Sequence, residues 1–389
     1  MTAEMVAGAL FISCGELSGD GYASAVVRTL RSKGFSGRIL GMAGGRSAAA
    51  GMEILWDSRM LHLMGIGEVL PSIPRLLRLK SEMVDTVMTS GVTTVLVVDS
   101  PDFHLPFVAS LRARGWRGRV VYAVPPTVWA WRSGRVKALA RDVDLCLPLF
   151  RFEHEFLEAR GVPSAWRGHP LTDEFVSVAP SPPPLDARRI ALLPGSRRSE
   201  IRRLLPTLHK IASRLRTEGF SPVFSVAPGL SDNLKEWMKG ELLGMEIFEG
   251  EGRELLAGSA AAAGASGTVA VEAMLLDRFM VVLYKTGFLS ECVWRMLAKT
   301  QKISLPNILA GREIYPELLQ RHAAPENTTE ALLRYLRDTE YRDAVHDGLR
   351  VAREGMGAPG SLAFWAERIL SGDANARNSE SLPSEETSP

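Results

Sequence analysis

A chain of 389 residues, 46% hydrophobic and 23% charged, has the length of two domains and the composition of a soluble globular protein. Its 46 lysines and arginines stand against 44 acids, a net charge of +2 that gives no case for nucleic acid as the main partner. Cys14, Cys146 and Cys292 lie far apart without a CxxC pair, which argues against a disulfide framework or a zinc site and fits a reducing cytoplasm.

Met1 to Glu4 carries no basic region, and the apolar run Val6 to Cys14 is short, so no signal peptide is expected. No uninterrupted apolar segment reaches the ~18–20 residues of a spanning helix. The expectation is a soluble protein or one that lies on a membrane surface.

Ala7 to Ser13 reads as a buried strand, Gly15 to Gly21 (GELSGDG) as a glycine-rich turn and Tyr22 to Leu30 as a helix. Strand, glycine loop and helix open a doubly wound α/β domain, here without the GxGxxG dinucleotide fingerprint. Arg38 to Met42 is a second strand. Leu61 to Lys80 (LHLMGIGEVLPSIPRLLRLK) is apolar, holds two prolines and carries Arg75, Arg78 and Lys80 among leucines. It reads either as a packing helix with solvated bases or as a surface for an anionic membrane.

Thr93 to Val98 is a β-branched strand that delivers Asp99-Ser100-Pro101-Asp102-Phe103-His104 at its carboxyl end, where open α/β sheets bind ligands. Arg119 to Val124 leads to Pro125-Pro126-Thr127-Val128-Trp129-Ala130-Trp131-Arg132, and Asp142 to Pro148 is a further strand. Asp142-Val143-Asp144 has the DxD form of metal-dependent sugar transfer. It opens an apolar strand, so Asp142 is better read as the end of the preceding helix.

Val178 to Arg189 (VAPSPPPLDARR) is a proline-rich linker, after which the pattern restarts. Ile190 to Leu193 is a strand, Pro194-Gly195-Ser196-Arg197 a turn, Ser199 to Leu215 a helix and Pro222 to Val226 a strand. Small residues from Ala260 to Gly264 end in the loop Ala265-Ser266-Gly267-Thr268, followed by a helical run Val269 to Leu276 and a strand Phe279 to Tyr284. Small residues admit a ligand close to the backbone. Ser266 or Thr268 is the expected helix cap, and free N–H groups there suit a phosphate. Glu272, about one turn in, can accept hydrogen bonds from a sugar beside that phosphate. Ser304 to Glu313 is another loop-to-helix site, and Ser371 to Pro389 has a disordered composition.

Two kinds of chemistry follow from the residues. Arg197, at a helix start after a strand and a Pro-Gly turn, can neutralise a departing phosphate. Asp99 or Asp102, at a strand's carboxyl edge, can take a proton from an attacking hydroxyl; either also reads as a turn-capping acid.

Taken together and in order, Gly15 to Asp20, Met64 to Leu70 (MGIGEVL), Asp99 to Phe103, Val128 to Arg132, Leu193 to Arg197 with Glu200, Ala265 to Thr268 with Glu272, and Ser304 to Glu313 resemble the lipid-A-disaccharide synthase family. The resemblance spans about residue 8 to 370. It implies an α/β, GT-B-type fold of two facing doubly wound Rossmann-like domains with a cleft between them. The expected division is an acceptor and membrane-facing domain over 1–178, a linker over 179–189, a UDP-sugar donor domain over 190–357, a helix over 358–370 that packs back on the first domain, and a tail over 371–389.

The implied activity is inverting, metal-independent hexosyl transfer. UDP-2,3-diacylglucosamine donates its sugar to the 6-hydroxyl of 2,3-diacylglucosamine 1-phosphate, with no cofactor and no metal. Asp99 (over Asp102) and Arg197 are expected as catalytic residues. Gly15, Ser18, Gly19, Ser196, Ser266, Gly267, Thr268, Glu272 and Asn307 are expected on the donor side. Met64, Ile66, Glu68, Asp102, Trp129 and Arg132 are expected on the acceptor and membrane side. Under the resemblance, Leu61 to Lys80 becomes a peripheral contact with the cytoplasmic face of the inner membrane. A homodimer is one state that the resemblance allows. Two positions depart from the family pattern, Pro125 for serine and His104 for asparagine, and both fall near the expected acceptor site. Readings of other classes are a UDP-N-acetylglucosamine 2-epimerase on the same fold and a non-catalytic nucleotide-sugar or lipid-binding protein.

Overall fold

A computed structural model of the chain describes residues 8–15, 17–62, 69–129, 132–176, 183, 187–285 and 304–371. The chain forms two compact units. Unit 1 runs to Asp173 and takes back the chain from Ala358; unit 2 is Glu174–Gly357.

Unit 1 is built on a six-stranded sheet of β1 (Ala9–Cys14), β2 (Ile39–Ala43), β3 (Glu53–Asp57), β4 (Val92–Val98), β5 (Arg119–Ala123) and β6 (Leu145–Leu147). All neighbours pair in parallel, in the order β3-β2-β1-β4-β5-β6. The central strands are apolar runs because a parallel sheet is covered on both faces. In β1, Phe11 enters one core with Val95, Val97, Phe107 and Tyr122, while Leu10 and Ile12 enter the other with Val26, Leu30, Leu96 and Val98. This is the period of two of a strand. Trp365, from helix Ser361–Leu370, is buried in the second core. The start of that helix is held by Asp173, whose carboxylate accepts from the backbone N–H of Gly360, Ser361 and Leu362 at 2.5, 3.2 and 2.8 Å.

Unit 2 repeats the plan with β7 (Arg189–Leu193), β8 (Ser221–Val226), β9 (Glu246–Glu249), β10 (Ala261–Ala265), β11 (Phe279–Tyr284) and β12 (Glu317–Leu319), in the order β12-β11-β10-β7-β8-β9. The expected α/β fold of two Rossmann-like halves is the fold observed. Among the described residues no helix is long and apolar enough to cross a membrane.

One local expectation needs correction. The first helix starts at Leu17 rather than Tyr22, so Gly19 and Gly21 lie inside a helix and not in a long turn. A Cβ on Gly19 would sit 3.2 Å from the Cys14 Cβ, so its absence is what lets this helix lie close to the sheet. The small-residue run at Ala261–Ala265 is a full strand, hydrogen-bonded to β7 on one side and β11 on the other. A Cβ on Gly264 would meet the Leu193 carbonyl oxygen at 2.1 Å, so this position has to be glycine.

Candidate active site

In each sheet the strand order reverses beside the first strand, and the carboxyl edge at such a reversal is where open α/β sheets bind ligands. In unit 1 the reversal lies between β1 and β4, so Gly15 and Asp99-Ser100 emerge side by side. A Cβ on Gly15 would stand 2.1 Å from the Ser100 Oγ. Asp99 and Ser100 have φ of 55° and 46°, a left-handed conformation that costs a non-glycine residue of order 1–3 kcal/mol.

The main chain of Asp99 is fastened from several sides. Its N–H donates to the Ala123 carbonyl at 3.2 Å, and its own carbonyl accepts from the Tyr122 hydroxyl at 2.8 Å and from His104 Nδ1–H at 2.7 Å. His104 Nε2 then accepts from the Ser13 hydroxyl at 2.8 Å. Burial lowers the His104 pKa to about 4, so the ring is neutral at pH 7. His104 and Pro125, expected near the acceptor, are both buried, and His104 meets Asp99 through its main-chain carbonyl.

Asp102 lies in the first turn of helix Pro101–Ala113 but does not cap it. Its Oδ1 instead accepts from Arg132 Nη1 at 2.7 Å and from Arg135 Nη2. Trp129 donates its indole N–H to Glu153 at 3.0 Å, and the same carboxylate takes the N–H of Leu149 and Phe150. Burial pushes the Glu153 pKa up to about 7 against the pull of those three donors. Met64, Ile66 and Glu68 lie outside the described residues. The DxD acids sit away from this edge, at the amino ends of the strands. Asp142 closes helix Arg135–Asp142 and pairs with Arg141, while Asp144 accepts from Arg112 Nη2 at 2.6 Å and from the Val120 N–H at 2.7 Å. Asp20 is buried, and its carboxylate binds the N–H groups of Gly44, Arg46 and Ser47, fixing the loop after β2.

In unit 2 the reversal lies between β7 and β10, whose ends are in register at Leu193 and Gly264. Pro194 to Arg197 and Ser266 to Thr268 therefore leave the sheet next to each other. Gly195 has φ 108° and Gly267 φ 151°. A Cβ on Gly195 would meet Glu200 Oε2 at 2.8 Å and the Ala265 Cβ at 3.3 Å. Arg197 precedes helix Arg198–Thr217 and is exposed; its N–H and Nη1 each donate to Glu200 at 3.4 Å. Helix Thr268–Leu275 starts at Gly267 with no side-chain cap, so neither Ser266 nor Thr268 performs the expected capping. An uncapped helix start directs N–H groups and the positive end of the helix dipole outward, the arrangement that accepts phosphate. Glu272 lies one turn further on and is half-buried.

The far end of that helix is clamped. Arg353 donates to the Met274 carbonyl at 3.2 Å and to Asp277 Oδ1 at 2.6 Å, and His346 Nδ1 is 2.9 Å from Asp277 Oδ2. Lys285, at the end of β11, donates to Thr207 at 2.6 Å, and burial together with Lys210 lowers its pKa. Asn307 differs from its expected donor role. It is buried, its amide donates to the Tyr315 carbonyl and Glu317, and its oxygen accepts from the N–H groups of Ile314 and Tyr315. Those four bonds use its whole capacity, so it shapes its loop from within.

The structure thus groups Asp99, Asp102, Trp129, Arg132, Gly15, Ser18 and Gly19 in unit 1, and Arg197, Ser196, Ser266, Gly267, Thr268 and Glu272 in unit 2. Gly15, Ser18 and Gly19, expected on the donor side, belong to the unit that carries Asp99. Arg135, Glu153 and Lys285 had no place in the sequence reading. Arg135 was legible only as one of several arginines, and the burial of Glu153 depends on packing from distant segments.

The sequence model of the lipid-A-disaccharide synthetase family matches residues 10–358. A lipid-A-disaccharide synthase of Myxococcus xanthus is 36% identical over 375 residues, covering 93% of this chain and 96% of its own. One of Anaeromyxobacter dehalogenans is 38% identical over 376 residues, with the same coverage. Among solved structures, a UDP co-structure of S. aureus MnaA superposes with TM-score 0.62 at 12% identity, covering 93% of this chain and 95% of its own. The calicheamicin glycosyltransferase CalG4 gives 0.57 at 15% identity, covering 94% and 98%. At such identities these structures speak for the fold, whereas the family match and the relatives speak for descent. The chain belongs to the lipid-A-disaccharide synthase family.

Proposed function

We propose that the chain transfers 2,3-diacylglucosamine from its UDP derivative to the 6-hydroxyl of 2,3-diacylglucosamine 1-phosphate by a single inverting displacement. Asp99 takes the proton of the 6-hydroxyl as its oxygen bonds to the anomeric carbon, and the bond from that carbon to the UDP oxygen breaks. The products are a β-1,6-linked disaccharide 1-phosphate and UDP. The observation that carries this reading is the pair of strand-order reversals. One presents a carboxylate whose main chain is locked, and the other presents an uncapped helix start beside Arg197.

Base and leaving-group stabiliser are the two groups an inverting transfer needs. Arg197 and the N–H groups at Ser266–Thr268 meet the charge of the departing diphosphate, a role that then needs no metal. Ser196 lies exposed in the same loop as Arg197, and Glu272 accepts from the ribose hydroxyls. On unit 1, Ile73 and Leu77 of helix Val69–Thr89 are 40% and 54% exposed, with Arg75 and Arg78 exposed beside them. Apolar side chains edged by bases suit the cytoplasmic face of an anionic membrane, where both acylated substrates reside.

The test is a reaction with UDP-2,3-diacylglucosamine in the presence and absence of the acylated monosaccharide phosphate, followed by thin-layer chromatography. Disaccharide and UDP are expected only with both substrates. UDP release without acceptor, or nucleotide binding with no product, would overturn the reading in favour of an epimerase-type enzyme or a binding protein.

A further inference from the structure

We infer that Arg132 and Arg135 form the subsite for the phosphate of the acceptor sugar, and that Asp102 is the internal anion which that phosphate displaces. The inference rests on the reading of the acceptor as a sugar phosphate and adds the residues that recognise it.

The two guanidiniums converge on a single oxygen, Asp102 Oδ1. Two guanidiniums at one oxyanion is the arrangement that a phosphate takes from arginines. The three side chains together carry one net positive charge, so a dianionic phosphate is better matched to the pair than one carboxylate is. Arg132 and Arg135 are also coupled through the main chain, since the Arg135 N–H donates to the Arg132 carbonyl at 3.0 Å. Arg135 opens helix Arg135–Asp142, whose positive end adds to the field.

The Asp102 side chain is 74% exposed, and such exposed pairs contribute only about 0–1 kcal/mol, so a stronger anion can displace the carboxylate. The Arg135 side chain is 14% exposed, so the cation that the phosphate would meet is partly shielded from water. The position agrees. Asp102 follows Asp99 by three residues, and Arg135 and Asp102 both act electrostatically on the Tyr122 hydroxyl, which donates to the Asp99 carbonyl. The 6-hydroxyl and the 1-phosphate are carried on the two sides of the ring oxygen of the acceptor sugar, as separate groups. The base and the phosphate subsite must therefore be neighbouring but separate groups, as Asp99 and the arginine pair are.

The experiment compares kcat and KM for 2,3-diacylglucosamine 1-phosphate and for its dephosphorylated counterpart, in the native protein and in Arg135→Gln, Arg135→Lys, Arg132→Gln and Asp102→Asn. The glutamine variants should lower kcat/KM for the phosphorylated acceptor about ten- to a hundredfold, mainly through KM, and leave the dephosphorylated acceptor within about twofold. Arg135→Lys should recover part of the loss because it keeps the charge without the fork. Asp102→Asn should lower KM for the phosphorylated acceptor, since it removes the competing anion; a purely structural ion pair would give the opposite sign. An equal loss for both acceptors in variants that still melt cooperatively, or no loss for either, overturns the inference while leaving the transferase reading intact. Failure of the native protein to couple either acceptor overturns the transferase reading and the subsite with it.

Discussion

The two sheets share one strand order but finish their carboxyl edges differently. In unit 1 the edge is made of side-chain-bearing residues held in left-handed backbone: Asp99, Ser100, Val124 and Arg132 are the non-glycine residues with positive φ among the described residues of that unit. In unit 2 the corresponding loops are made with glycine, at Gly195 and Gly267. A site that works through carboxylates and guanidiniums has to keep a side chain at each strained position, so neighbours must hold the backbone there. Tyr122 and His104 do this for Asp99. A site that works through main-chain N–H groups has no use for a Cβ, and glycine reaches the same kind of conformation at little steric cost. The unit 1 edge should therefore be sensitive to functional groups and the unit 2 edge to backbone shape.

The largest effect expected is at Asp99. Asp99→Asn keeps a residue that tolerates left-handed backbone and removes the basicity. Turnover should fall about 10²–10⁴-fold, the usual contribution of a positioned base. UDP affinity by calorimetry should not change, because the residues proposed to hold the nucleotide belong to unit 2. Asp102→Asn should preserve turnover, and its effect on stability should stay within about 1 kcal/mol because the Asp102 side chain is 74% exposed. Loss of turnover in Asp102→Asn with retention in Asp99→Asn would exchange the two roles.

Next comes the support of Trp129. Burial raises Glu153 from its ordinary 4.5 to about 7, against donors from Trp129, Phe150 and Leu149. A carboxyl raised on folding contributes stability that is full below the unfolded value and is lost as pH climbs through the folded one. Between pH 4.5 and 8 the loss should amount to about 3 kcal/mol. Glu153→Gln should remove this slope, so urea melts of native and variant protein should converge or cross between pH 5 and pH 8. Parallel pH profiles for the two proteins would show that Glu153 does not titrate in this range.

Much of this architecture is legible in the sequence because strand ends and loop chemistry are local. The β-branched run before Asp99 and the Pro-Gly turn before Arg197 each announce a strand's carboxyl end. What stays hidden depends on partners far along the chain. Alanine favours helix over strand, yet Ala261–Ala265 becomes a central strand because it pairs with β7 on one side and β11 on the other. Asn307 looks like a ligand residue in its loop until Ile314, Tyr315 and Glu317 are seen to occupy its amide. Arg135 gains meaning only when Asp102 and Arg132 meet it in space.

The smallest effects belong to the unit 2 edge, where the comparison is sharpest. Glu272→Ala removes one charged acceptor and should weaken UDP binding by about 1.5–3 kcal/mol. Gly267→Ala removes no functional group at all. A Cβ there meets nothing within 4 Å, so no clash occurs and only the backbone conformation is at issue. With φ 151° and ψ −157°, Gly267 lies in a region that is nearly reserved for glycine and costs other residues of order 1–3 kcal/mol. The loop can relieve that strain by turning away from the uncapped helix start, because neither Ser266 nor Thr268 caps it. Part of the penalty should then appear as a UDP affinity lowered by about 1 kcal/mol and the rest as a slightly lower melting temperature. Asp99-dependent chemistry at saturating UDP-sugar should continue. Unaltered UDP affinity in a Gly267→Ala protein that melts like the native one would mean that this loop is not read through its main chain, and the contrast between the two edges would fail.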